Sequence, residues 1–316
     1  MIRLLELLGR RATPILAVSL FIGLAMPELA RLARPLVAPA IIGLMVCNVM
    51  RLDLRAIAGA AASRPAAAAA MLAWIMVGAP LLAALVLAPL PLPPALKAAI
   101  LLTASSPVLT AAPTFVMMMG LDGALAVFSV IASSLLQPVL QPPVAYFLLG
   151  IELDLPIGAL MARLAVFVGI GFALGSVARR VAGPERIARN EKAIGGAAVG
   201  LLVVFGIGVM DGTTALVLEK PTLVLLYLAA GFATNFLLQA AGIAIFWRMA
   251  RPQGMTTALV GGCRNLANLV AVLGPAAGPE LVLFLAVGQF PLYFVPAIFG
   301  PLYRRLAAPG RALTPP

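Results

Sequence analysis

Leu102-Thr103-Ala104-Ser105-Ser106-Pro107-Val108-Leu109-Thr110-Ala111-Ala112-Pro113-Thr114 sets two prolines and five hydroxyl groups inside an apolar run. Each proline removes a backbone hydrogen bond and costs about 3 kcal/mol in a regular helix interior. Where lipid is the solvent, the freed carbonyls must be met by protein, water or a bound solute. A second run, Thr256-Thr257-Ala258-Leu259-Val260-Gly261-Gly262-Cys263-Arg264-Asn265-Leu266-Ala267-Asn268, has paired glycines followed by an arginine at mid-span. A charge at that depth costs roughly 2.5–3.5 kcal/mol on insertion scales, so such residues usually face a cavity. Every Asp and Glu lies at or beyond a predicted helix end, so no acid is placed to pair with Arg264. A ligand-facing Arg264 is favoured over a structural one. For the first run, a proline kink whose Ser and Thr bond back to their own helix stays an alternative.

The rest of the chain supports a bilayer setting for both runs. Hydrophobic residues make up 63% of it and charged residues 10%, and the mean hydropathy is +1.09. A soluble core is excluded by that composition. Apolar stretches cut by charged or Pro-containing breaks give ten predicted helices, over 12–30, 35–50, 66–90, 95–119, 122–149, 156–178, 193–210, 222–247, 254–273 and 279–302. The second is the shortest for a span. The first follows Arg10 and Arg11 without a small-residue cleavage site, so it reads as an uncleaved span. The expectation is an all-α membrane protein of ten spans. Two sets of five, 1–150 and 151–316, have opposite orientations and form an inverted repeat, in which the discontinuous fourth and ninth helices correspond and cross.

Positive charge orients this arrangement. With a cytoplasmic N-terminus, the inner segments hold Arg3, Arg10, Arg11, Arg51, Arg55, Arg64, Arg179, Arg180, Arg186, Arg189, Lys192, Arg248, Arg251, Arg304, Arg305 and Arg311. The outer loops hold only Arg31, Arg34, Lys97 and Lys220, and Arg163 and Arg264 fall within spans. The bias predicts a multi-pass protein of the cytoplasmic membrane with both termini inside. It also explains the net charge of +11 without nucleic acid. Cys47 and Cys263, both inside apolar segments, are the only cysteines and there is no histidine or CxxC pair, so the sequence argues against a disulfide scaffold and against zinc or haem chemistry, and no cofactor is expected.

Half-helix ends and bare peptide groups at the midplane are the sequence pointer to a transporter site. The predicted crossing lies near Pro107–Pro113 and Gly261–Asn265. The candidate substrate residues are Pro107, Thr110, Pro113, Thr114, Cys263, Arg264 and Asn265, with Ser133, Ser134 and Gln137 on the fifth span beside Gln141. The polar residues of that span read equally as helix-to-helix glue.

The order and spacing of several short motifs resemble the bile acid:sodium symporter family. They are Asn48-Val49-Met50-Arg51-Leu52-Asp53-Leu54 with Arg64-Pro65, Ser106-Pro107 to Pro113 with Gly120 and Ala124-Leu125, Pro138 with Pro142, and Gly262-Cys263-Arg264-Asn265. The resemblance implies ten helices, inverted repeats and crossing fourth and ninth helices. It also exposes departures. The family's Glu in the ninth helix is Val260 and its Gln is Arg264, while the Ser-Asn that follows its Thr-Ala reads Ala112-Pro113. The sodium ligands that the resemblance implies are therefore missing at Ala112, Pro113, Val260 and Arg264.

Magnitude decides what the arginine does to an ion. A sodium ion about 4 Å from a guanidinium is repelled by roughly 4 kcal/mol at an effective dielectric near 20, which is about a thousandfold in affinity. By the resemblance, a Glu with two sodium ions sums to +1, and Val260 with Arg264 sums to the same charge. The leading expectation is a carrier of a small organic anion, sodium-independent or unusually coupled, with Arg264 as counter-charge. Its partners are then the anion and membrane lipid, without sodium or nucleic acid. An oxyanion or arsenite-type efflux carrier using Cys263, and a non-transporting sensor or scaffold on the same fold, are the alternatives. A membrane enzyme lacks a nucleophile-and-base set.

Overall fold

The computed structural model describes residues 12–52, 54–149, 156–273 and 277–307. Among the described residues every regular element is helical. In chain order they are α1 (Ala12–Ala25), α2 (Pro27–Met50), α3 (Leu54–Ala62), α4 (Pro65–Leu87), α5 (Pro94–Ala104), α6 (Ala112–Met118), α7 (Gly123–Leu149) and α8 (Ile157–Ala182). They continue with α9 (Pro184–Arg189), α10 (Glu191–Gly208), α11 (Thr213–Glu219), α12 (Pro221–Phe246), α13 (Arg251–Gly262), α14 (Ala267–Leu273) and α15 (Gly278–Ala307). Seven are long and apolar enough to cross a membrane: α2, α4, α7, α8, α10 taken with α11, α12 and α15. The chain is an all-α membrane protein.

Local chemistry sets most boundaries. Pro27 opens α2 at a position whose N–H would lack a helical acceptor anyway. That moves the first break from the predicted 30–35 gap to Met26, and α2 runs on through a 3-10 turn at Arg34–Leu36. Gly120 takes a positive φ of 73° that only glycine adopts cheaply, ending α6. Asp122 then accepts the Leu125 N–H at 3.1 Å and starts α7. Arg64, just before α4, pairs with the same carboxylate.

The helices sort into two bodies. α1, α2, α8 and α10 form a slab in which α2 packs on α8 and α10, and α10 on α1. Its contacts are close because glycines face side chains. A Cβ on Gly171 would meet Met45 at 2.9 Å, and one on Gly175 would meet Val49 at 2.6 Å. The Gly-x-x-x-Gly spacing at 171–175 thus faces Met45 and Val49, themselves four apart. Two ion pairs tie α2 to the flanks of α10, Arg34 in the 3-10 turn of α2 to Asp211 at 2.8 Å and Arg51 just past its end to Glu191 at 3.2 Å. The second body holds α4 to α7 and α12 to α15, with α13 packed along α12 and α12 along α15. Both predicted discontinuities lie in it, α5/α6 and α13/α14.

Candidate functional site

The two unwound stretches meet as a short piece of antiparallel ladder. Val108 and Arg264 form the bridge, flanked by Asn265 N–H to Pro107 O and Leu109 N–H to Cys263 O, both 2.8 Å. Each stretch thereby supplies the backbone partners that the other lost when its helix broke. The Val108 N–H donates to Ser133 Oγ on α7 at 3.0 Å. The Gln141 amide donates to Leu102 O at 3.1 Å and to Ser106 Oγ at 2.9 Å. On the other side Asn235 of α12 donates to Gly262 O at 2.8 Å and accepts from Gln239 at 2.7 Å.

Arg264 sits inside this knot, 2% exposed. Its Nε donates to Gly261 O at 2.7 Å, and its Nη1 to Ile75 O at 2.9 Å and to Ser106 O at 3.1 Å. These acceptors are free for local reasons. The Gly261 and Ser106 carbonyls stand at the edge of each unwound stretch. In α4 the turn Trp74–Gly78 is π-helical, with Ala79 N–H bonded to Trp74 O. In that register Ile75 O would wait for residue 80, which is Pro80 and has no N–H. The guanidinium is therefore held by three backbone dipoles, and its Nη2 is buried without an acceptor among the described residues.

The remaining sequence candidates fall into two groups. Thr110, Arg264 and Asn265 line a cavity of about 40 Å³, beside Asn268, Gln289 and Tyr293. Thr110 and the exposed Thr114 also line a cavity of about 280 Å³ toward Arg51. Pro107 and Cys263 contribute carbonyls to the ladder, and the Cys263 side chain is fully enclosed. Pro113 is buried in the first turn of α6. Ser133 bonds Val108, and Gln137 donates to Gln141 at 2.7 Å and accepts from Asn268 at 3.1 Å. Ser134 is buried on the same helix. Ala112 and Val260, where relatives' sodium ligands were expected, are completely buried alkyl groups.

The crossing lies within the body, and the cavities beside it lie on the seam between body and slab. The 280 Å³ cavity joins Leu44, Asn48, Arg51 and Val199 of the slab to Thr110, Thr114 and Phe115 of the body. Beyond the crossing, about 290 Å³ opens between Arg34, Val37 and Asp211 of the slab and Ala267, Val270 and Leu285 of the body. The small central cavity shares Thr110 with the first and Ala267 with the second. Two vestibules, one at the Arg51 end of α2 and one at its Arg34 turn, thus adjoin the small cavity lined by Arg264.

A family model described as the sodium bile acid symporter family matches residues 38–220, more than half of the chain. The chain belongs to the sodium bile acid symporter family. No curated relative matches it. Membership makes it a multi-pass membrane protein of a transporter family, in agreement with its seven apolar helices. The family match spans the first interruption and ends before the second, so it covers Pro107 and Thr110 but not Arg264. Sequence reading missed the slab's share of the site, Leu44, Asn48 and Arg51, along with Gln289 and the Ile75 carbonyl. Gln289 was findable as a lone amide in an apolar helix, and Ile75 through Pro80.

Proposed function

We propose that this symporter-family chain is a secondary carrier of a small organic anion that works without bound sodium. It crosses the cytoplasmic membrane ten times, as inverted halves of five passes, counting α1 and the interrupted pairs α5/α6 and α13/α14 as passes. The observation that carries the reading is the Arg264 guanidinium among the carbonyls of Ile75, Ser106 and Gly261. Converging carbonyls from unwound or distorted helices are what coordinates a sodium ion in carriers with broken helices. Here a covalently tethered cation takes those dipoles. A second cation about 4 Å away meets roughly 4 kcal/mol of repulsion at an effective dielectric near 20, with no carboxylate among the described residues that line the cavity to offset it. An anion in the 40 Å³ cavity or its vestibules gains the same field.

Alternating access is supported by the seam, because both vestibules lie between the two bodies rather than within either. Sliding of one against the other can open one mouth and close the other while the crossing stays intact. The test is counterflow of a labelled carboxylate in proteoliposomes with sodium or choline as the cation. Equal rates are expected, and strict sodium dependence would overturn the reading. Arg264→Gln should lose anion uptake, and Val260→Glu with Arg264→Gln should acquire a sodium response. Topology is tested separately: a reporter after Arg186 should report cytoplasm.

A further inference from the structure

The vestibule at the Arg51 mouth is amphipathic in a specific way. Asn48 and Arg51 lie three residues apart at the end of α2, and Thr110 and Thr114 face them from the body. The rest of the lining is mainly hydrocarbon, including Leu44 and Phe115. Arg51 is the one charged residue among those lining the cavity. Its Nη2 reaches Glu191 at 3.2 Å, beyond the roughly 2.7–2.9 Å of a good charge-assisted bond. Glu191 keeps 64% of its side chain in solvent. The Arg51 Nε is buried and has no acceptor among the described residues. The fork therefore holds a loosely bound, exposed carboxylate on one tine and no acceptor among the described residues on the next.

A free carboxylate answers that geometry, because it can accept from Nε and Nη2 side by side. Displacing Glu191 costs little, since exposed ion pairs contribute little stability. Two features keep the fork available. Arg179 of α8 donates to Met50 O at 3.1 Å, fixing the last turn of α2. Gly195 leaves the flank open, for a Cβ there would lie 3.9 Å from Arg51 Nη1. The volume, about 280 Å³, is at the small end of the ligand-pocket range of about 300–1,000 Å³. That suits one ring or a short branched chain. A second carboxylate would find no second cation among the residues lining the cavity.

We propose that Arg51 recognises the carboxylate of a compact apolar monocarboxylate in this vestibule, with Glu191 as its resident competitor. The proposal rests on the anion-carrier reading, and it places the reading of the head group at the mouth, before the anion reaches the field of Arg264. The probe is benzoate, with succinate and benzamide as controls, titrated calorimetrically into the full chain in lipid nanodiscs. Glu191→Gln should tighten benzoate by up to about fivefold, the size of an exposed ion pair. Arg51→Gln should weaken it at least tenfold, as loss of a charged hydrogen bond does. The double variant should match Arg51→Gln, because Glu191 acts only through Arg51. Arg51→Lys, which keeps the ion pair but not the fork, should also weaken benzoate, which guards against a misfolded Arg51→Gln. Benzoate binding unaffected by Arg51→Lys and Arg51→Gln, or weakened by Glu191→Gln, would overturn this proposal alone. A folded wild type that binds benzoate and succinate no better than benzamide would overturn the carrier reading with it.

Discussion

The slab and the body are held together by different physics. In the slab, helices approach through absent side chains: Gly171 and Gly175 lie against Met45 and Val49. In the body, two helices are broken, and side chains and a single β-bridge replace the backbone bonds that were lost, as at Val108, Arg264 and Ser133. Lipid offers no hydrophobic drive between helices, so close packing and hydrogen bonding are the two available cements. The glycine contacts of the slab are indifferent to charge and solute, and its charge-dependent contacts include the pairs Arg34–Asp211 and Arg51–Glu191. The body's cement leaves carbonyls that hold the Arg264 guanidinium beside a cavity.

The largest expected effect tests the body. Arg264→Leu strands the carbonyls of Ile75, Ser106 and Gly261, each worth about 1–3 kcal/mol when buried unpaired. Destabilisation on the order of 3 kcal/mol or more is expected, read as a lowered thermal midpoint in detergent. Arg264→Lys should recover part of it. A Leu variant melting with the wild type would show that the knot does not depend on its cation.

The slab's counterpart is Gly175→Leu, whose added side chain collides with Val49 and should cost about 1–3 kcal/mol. On the same helix Gly169 has open space around its missing Cβ. Gly169→Leu should therefore leave the thermal midpoint unchanged. Equal effects at both positions would remove the packing argument and with it the distinction between the two bodies.

How much of this was readable without coordinates differs in the same way. The interruptions announce themselves locally, because prolines at 107 and 113 and glycines at 261 and 262 disturb a helix wherever it sits. What fills them does not, since the acceptor at Ile75 comes from a helix about 190 residues away in sequence from Arg264 and depends on a π-helical turn ahead of Pro80. Arg31, Arg34 and Pro35 suggested a loop. Instead α2 continues through them, with Arg31 bonded to Glu28 and Arg34 to Asp211. Short helices such as α3 and α9 lack the apolar length that marks a span, and Arg51 looked like an orienting charge until α10 brought Glu191 beside it.

Two smaller effects sharpen the comparison inside the body. Ser133→Ala removes the acceptor of the Val108 N–H and should cost about 1 kcal/mol in chemical or thermal unfolding. Thr114→Ala should stay within about 0.5 kcal/mol, as an exposed cavity-facing residue without a described partner does. Thr114→Cys, with Cys47 and Cys263 removed, should react with a small aqueous thiol reagent, whereas Val108→Cys should not. Reversed reactivity would place water on the wrong side of the ladder.

The length of α15 carries its own consequence. Thirty residues from Gly278 to Ala307 rise about 45 Å, against a hydrocarbon layer of about 30 Å. A tilt near 20° shortens that projection by only about 3 Å. The helix therefore outlasts the acyl region, and the exposed Arg304 and Arg305 near its end fall among headgroups. There they act as a depth marker for the body. Any vertical excursion of the body would drag two guanidinium groups toward oil or toward bulk water, so the rod sets how far the body can travel against the lipid.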